Sequence, residues 1–252
     1  MKRAWIIGMI IGVFLPAGLV FAQAPPGAGI FGSSHDFSGV PAGTGVATGA
    51  CTFCHTPHKA AQTRLLWNHT LSQNTYTWSD ATHTVGGTPL PSISPAWTGP
   101  TKFCLSCHDG SVAVGDIFWF NATEWKGTSA LDNTRLDSGP GNTATPAGDL
   151  MGNHPISHPY PYNMAPNSYN GTVTGSQVLL EEYVADPTPL GIRLFNDVTG
   201  IVTAGPMAGR SGLECSSCHD PHNGSAVQDK HFLLGQLGGN GPDYICTKCH
   251  IK

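Results

Sequence analysis

Four short segments of the chain carry the same chemical groups at the same spacing. They are Cys51-Thr-Phe-Cys54-His55, Cys104-Leu-Ser-Cys107-His108, Cys215-Ser-Ser-Cys218-His219 and Cys246-Thr-Lys-Cys249-His250. All eight cysteines of the chain fall inside them. On a helical turn, residues i, i+3 and i+4 share one face. Two thiols so placed can add to the two vinyl groups on one edge of a porphyrin, while the imidazole binds the iron from beneath. Cys-x-x-Cys-His is the attachment pattern of c-type haem. A single copy would also suit a thioredoxin-like redox pair or half a zinc site. Four copies with no cysteine left over point to four covalently bound haem c groups, with His55, His108, His219 and His250 as proximal iron ligands.

Each iron takes a second axial ligand. Eight histidines remain: His35, His58, His69, His83, His154, His158, His222 and His231. Only Met151, Met164 and Met207 follow the N-terminal leader. Histidine is therefore in better supply than methionine, which would raise the iron potential, and bis-His ligation is expected. His58 and His222 each lie three residues past a proximal His with Pro between. Proline favours an extended path, and three extended residues span about 10 Å. These two rings are thus expected on a neighbouring haem, most simply the partner in the same pair. His35, beside Asp36, and the two His-Pro pairs at His154 and His158 are further candidates. His69, His83 and His231 sit in polar loop sequence, where a surface role is the expectation.

Short helices must position the motifs, over Thr101–His108, Gly212–His219 and Asp243–Ile251. The four motifs fall into two pairs, at residues 23–115 and 211–252, separated by a loop-rich insert over 116–210 within a single domain, 23–252. Cys54-His55-Thr-Pro-His58 matches Cys218-His219-Asp220-Pro221-His222, as a duplicated two-haem unit would. The insert is rich in Gly, Pro, Asn, Ser and Thr. It holds one helix candidate, Gln177–Ala185, and one hairpin candidate, Ile192–Phe195 followed by a turn at Asn196-Asp197 and Val198–Val202. The rest reads as turns and extended coil. The expected fold is mostly irregular coil with short helices at the motifs, a few short strands, and a core built around four stacked haems.

Composition agrees with such a chain. Of 252 residues, 32 are Gly and 20 are Pro, and charged residues are only 11%. That excludes coiled coils and helical bundles, and it is too little charge for charge-driven disorder. Acidic residues (16) outnumber Lys plus Arg (12), which argues against nucleic-acid binding. Met1-Lys2-Arg3 followed by the apolar run to Phe21 reads as a secretory signal, residues 1–22, cut after Ala22. Loss of Lys2 and Arg3 takes the formal charge from −4 to −6. No second apolar stretch is long enough to span a membrane. The mature chain is expected to be exported, at the cell surface or outside the cell, with the periplasm as the alternative.

The segments Cys51–His58, Cys104–Gly110, Asn153–Ser157 and Cys215–His222, together with His35-Asp36-Phe37, resemble multihaem c-type cytochromes with paired motifs. They also resemble the four-haem extracellular cytochromes of metal-reducing bacteria that polymerise into conducting filaments, the OmcE type. The resemblance covers most of the mature chain. It implies His35, His58, His154 and His222 as distal ligands, one of them reaching a haem in the next subunit. It also implies other copies of the chain, other c-type cytochromes and extracellular acceptors such as metal oxides as partners. Iron with two His ligands has no open position, so electron transfer is expected rather than catalysis. A monomeric periplasmic shuttle is the alternative, and a reductase with one open iron the third.

Overall fold

A computed structural model of the chain describes residues 23–38, 49–58, 60, 62, 64–78, 84–85, 88–109, 148–150, 152–171, 180–239 and 241–251. The leader 1–22, His83, Met151 and the stretch 110–147, which includes the start of the expected insert at 116, lie outside the described residues. The described chain is largely coil, with few short helices and a small antiparallel sheet. Among the described residues no helix is long and apolar enough to cross a membrane.

Among the described residues there are two α-helices, α1 over Thr101–His108 and α2 over Cys215–Cys218. Helix α1 has the bounds expected from its motif. Around the third motif the expected helix is shorter, because Gly212 and Leu213 extend as part of a strand instead. The fourth motif forms a single 3-10 turn, Ile245–Lys248, in place of a helix over Asp243–Ile251. A single turn gains little local hydrogen bonding, so the extent of helix differs from motif to motif.

Six short strands follow in chain order: β1 Thr84–Val85, β2 Thr88–Pro89, β3 His158–Pro159, β4 Phe195–Asn196, β5 Thr203–Ala204 and β6 Ser211–Leu213. Strands β1 and β2 pair as an isolated hairpin, and the other four make a sheet in the order β3-β6-β4-β5. Its register sets Pro159 and Phe195 on either side of Gly212. The hairpin expected at 192–202 is there but shifted. Its strands are β4 and β5, turned by a Gly200 N–H to Asp197 carbonyl bond of 2.9 Å. The described part of the 177–185 helix candidate is a 3-10 turn, Leu180–Glu182. Tyr183 then runs extended beside His250, because Val184 N–H is taken by the Cys249 carbonyl at 2.9 Å.

The apolar core consists of separate small clusters. One gathers Tyr160, Ile192, Leu194, Leu213 and Cys249. Another holds Tyr76, Ile93, Leu105 and Leu150, and a third holds Tyr169, Phe195 and Val202. The insert was expected to be mostly turns, yet its described part supplies three of the four sheet strands and much of this core. Burial of its Tyr and Leu side chains offsets the low helix and strand propensity of a Pro- and Gly-rich sequence.

Glu214 ties the two helices together. Its carboxylate accepts from the Thr101 N–H at 3.0 Å, from Trp97 Nε1 at 3.1 Å and from the Tyr169 hydroxyl at 2.6 Å. A carboxylate at the first residue of α1 meets the positive end of the helix dipole. The Thr101 hydroxyl in return accepts the Cys215 N–H at 3.1 Å. The second and third motifs are thereby fixed side by side.

Candidate metal centres

Three of the motifs close the same backbone bond, from the His N–H to the carbonyl of the first cysteine. It spans 2.8 Å from His55 to Cys51, 3.0 Å from His219 to Cys215 and 2.9 Å from His250 to Cys246. The remaining motif lies within α1. Each motif thus follows one local turn, as α-helix at the second and third and as a 3-10 turn at the fourth.

Three motifs also share a strap that the sequence reading missed. A 3-10 turn, Arg64–Leu66, Leu180–Glu182 or Lys230–Phe232, leads into an extended residue beside the proximal His. Trp67 pairs with His55, Leu233 with His219 and Tyr183 with His250. The bonds repeat as well. Thr56 N–H reaches the Leu66 carbonyl, Asp220 N–H the Phe232 carbonyl and Ile251 N–H the Glu182 carbonyl, each at 2.8 Å. In the first and third straps the central residues, Leu65 (φ 56) and His231 (φ 61), are left-handed, which aims their carbonyls at the motif. The signal in the sequence is a basic residue ahead of an apolar run, Arg64-Leu-Leu-Trp67 and Lys230-His-Phe-Leu233.

The thiols follow one another in motif order. Burial pushes the Cys54 thiol up to about 12, with Cys107 of the second motif adding to it. Cys104 hydrogen bonds to Cys215 of the third motif, and that bond with burial raises its pKa. Burial raises Cys218 to about 11, with Cys246 of the fourth motif contributing, and Cys249 to about 12, with Cys218 contributing.

Three proximal imidazoles each lie beside a histidine from outside the motifs. His55 and His222 have ring centroids 6.2 Å apart. For His108 and His35 the separation is 6.0 Å, and for His250 and His154 it is 6.4 Å. A metal–imidazole bond is about 2.0 Å, and adding the distance from nitrogen to ring centre puts two trans rings about 6 Å apart. Packed aromatic rings also fall in a range of roughly 4.5–7 Å, so spacing alone does not separate the cases. Several of these rings are anchored through Nδ1. Nδ1 of His55 donates to the Leu65 carbonyl at 2.6 Å and Nδ1 of His219 to the His231 carbonyl at 2.6 Å. His35 donates through Nδ1 to the Pro221 carbonyl and His154 to the Pro155 carbonyl, each at 3.0 Å. His222 Nδ1 faces Asp220 Oδ1 at 3.5 Å. A ring anchored through Nδ1 presents Nε2 as its ligating atom, the habit of metal-bound histidine.

His222 thus meets a motif of the other pair and not, as its spacing suggested, the partner in its own. The reason is the strap, which holds Asp220 and turns the Pro221-His222 segment across toward His55. His58 is exposed, with its carbonyl accepting from the Thr56 hydroxyl at 2.7 Å. His69 is not on a polar loop surface. It is fully buried, between Phe53 and Trp67 at 5.3 and 5.5 Å. His231 contributes its backbone carbonyl, its side chain being exposed. His158 is buried in β3, and neither of its ring nitrogens has a hydrogen-bond partner. Among the described residues no three His, Cys, Asp or Glu side chains converge as a metal cluster. What the described residues do show is three pairs of imidazoles lying side by side. No protein-family model matches the sequence, and no curated protein matches it.

Proposed function

We propose that the chain is a four-haem c-type cytochrome that transfers electrons outside the cell, and that copies of it assemble into a conducting filament. The observation that carries this reading is the set of paired imidazoles, each pair joining a motif histidine to one from elsewhere in the chain at 6.0–6.4 Å. His55 with His222, His108 with His35, and His250 with His154 would hold three irons. The repeat that delivers His222 to the first motif leaves His58 for His219 by reciprocity.

Bound haem supplies an iron that cycles between two oxidation states. The polypeptide does the rest. The thiols Cys51, Cys54, Cys104, Cys107, Cys215, Cys218, Cys246 and Cys249 fix each ring's edge. The straps and backbone carbonyls hold the imidazole planes, so that little rearranges when the charge changes. Leu65 and Leu66 beside His55, and Ile251 beside His250, are large apolar side chains left exposed by the polypeptide. They offer surface that a porphyrin face would cover. The raised thiol pKa values of Cys54, Cys107, Cys218 and Cys249 oppose a thioredoxin-like exchange, which needs a lowered one. The hydrogen bond between Cys104 and Cys215 supports electron hopping between the second and third motifs.

The test is the protein secreted from a host that attaches haem c. The reading requires a mass increase of four haems, a fully low-spin spectrum and no shift with carbon monoxide. A shift with carbon monoxide would favour an open-iron reductase. Electron cryomicroscopy of the extracellular fraction separates a filament from dispersed monomers, and monomers alone would leave a shuttle.

A further inference from the structure

Five of the candidate axial imidazoles have a described oxygen facing Nδ1, and they are not equivalent. His35, His55, His154 and His219 face backbone carbonyls. His222 alone faces a carboxylate, Asp220 Oδ1. The same oxygen accepts the His222 backbone N–H at 3.1 Å, so Asp220 holds the backbone of the residue whose exposed ring it faces. Asp220 is itself held. Its N–H is bonded to the strap carbonyl of Phe232 at 2.8 Å, and its Oδ2 meets Arg193 Nη2 at 3.2 Å. Its side chain is 13% exposed, against 44% for Arg193. The carboxylate is therefore poorly solvated, and its counter-charge sits toward water, where it is screened.

We propose that Asp220 is a positioning residue that turns His222 toward His55 and lowers the potential of the first motif's haem. The inference rests on the four-haem reading. A carboxylate facing Nδ1 draws the imidazole proton and raises the basicity of Nε2 more than a neutral carbonyl does. A more basic ligand favours the oxidised, more positive iron, so the electron is less readily accepted there. The partly buried negative charge acts in the same direction. Arg193 opposes both effects by holding the other carboxylate oxygen. Asp220 directly follows His219, the proximal ligand of the third motif, so one side chain orients a ligand of one haem while anchored beside another.

The experiment is a spectroelectrochemical titration of the haem-loaded full chain and its variants. In Asp220→Asn the side chain can still accept from the His222 N–H, but the charge is gone. One of four midpoints should move upward, the low-spin spectrum being kept. Arg193→Gln should move that same midpoint downward, and Asp220→Glu should restore most of the wild-type value. The midpoint that moves should belong to the haem whose low-spin signal is lost in His222→Ala. If no midpoint moves in the loaded Asp220→Asn protein, if all four move together, or if Arg193→Gln moves a different one, the inference is overturned alone. A wild-type chain that takes up no covalent haem overturns the four-haem reading, and this inference with it. Should Asp220→Asn fail to load, Arg193→Gln decides by itself.

Discussion

The rings of His55 and His222 stand 6.2 Å apart with an interplanar angle of 24°, although one lies in the first motif and the other three residues past the third. The second His of one repeat therefore lies beside the first His of the other, which brings the two halves of the chain together at this point. Replacing His222 with Ala should convert one of four irons to a high-spin, carbon monoxide-binding form. His35→Ala and His154→Ala should each do so at a different iron. Optical and paramagnetic resonance spectra of the three single variants check this. Variants that left all four irons low-spin would remove these residues as ligands.

How much of this was legible in the sequence differs from part to part. Cys51 to His55 and its three counterparts are local, so their spacing declares one helical turn without reference to the rest of the chain. His35, His154 and His222 could be named as candidates, but their partners could not. Which ring meets which depends on contacts such as Asp220 with Phe232, between segments remote in the motif pattern. The straps escaped notice because Leu65, Leu66, His231 and Phe232 adopt left-handed backbone, a conformation that non-glycine residues rarely take and that their side chains do not advertise. The insert looked unstructured because its core positions, Tyr160, Tyr169 and Ile192, follow neither a helical nor a strand period.

Stability should depend on pH through His158. Burial lowers its pKa from the ordinary 6.5 to about 3, so the folded state keeps it neutral while the unfolded chain protonates it. Its contribution is full above pH 6.5 and is lost as the pH falls toward 3, with a slope approaching about 1.4 kcal/mol per pH unit. His158→Leu should flatten that part of the profile. Denaturant melts of the haem-loaded protein and the variant at pH 7.5, 6 and 5 read the difference. Equal slopes would mean that His158 is charged or hydrated in the folded state.

Gly212 in β6 lies against the ring of Tyr169, and a Cβ there would overlap the Tyr169 ring carbons. Gly212→Ala must therefore move the ring, and with it the hydroxyl that donates to Glu214. Overpacking of this kind costs about 1–3 kcal/mol. The expected loss should be visible as a lowered denaturation midpoint with unchanged iron ligation. It should shrink when Tyr169 is already replaced by Ala, since no ring then remains to be displaced.

Glu214 is the larger liability, since three buried donors converge on one carboxylate. Glu214→Ala would leave the Thr101 N–H, the Trp97 indole N–H and the Tyr169 hydroxyl without it, and each buried donor so orphaned costs about 1–3 kcal/mol. A loss of about 3 kcal/mol or more is expected, enough to lower the yield of loaded protein. Glu214→Gln should be milder, because its side-chain oxygen can still accept from Thr101. It should also separate charge from packing. Burial raises the Glu214 pKa above the ordinary 4.5, so the folded state binds a proton more readily than the unfolded chain. That contribution is full below pH 4.5 and is lost as the pH rises through the raised value. The glutamine variant, always neutral, should not show this decline, and melts at pH 5 and 8 measure it. If wild type and Glu214→Gln fell equally between those two pH values, the buried carboxylate would not be the titrating group.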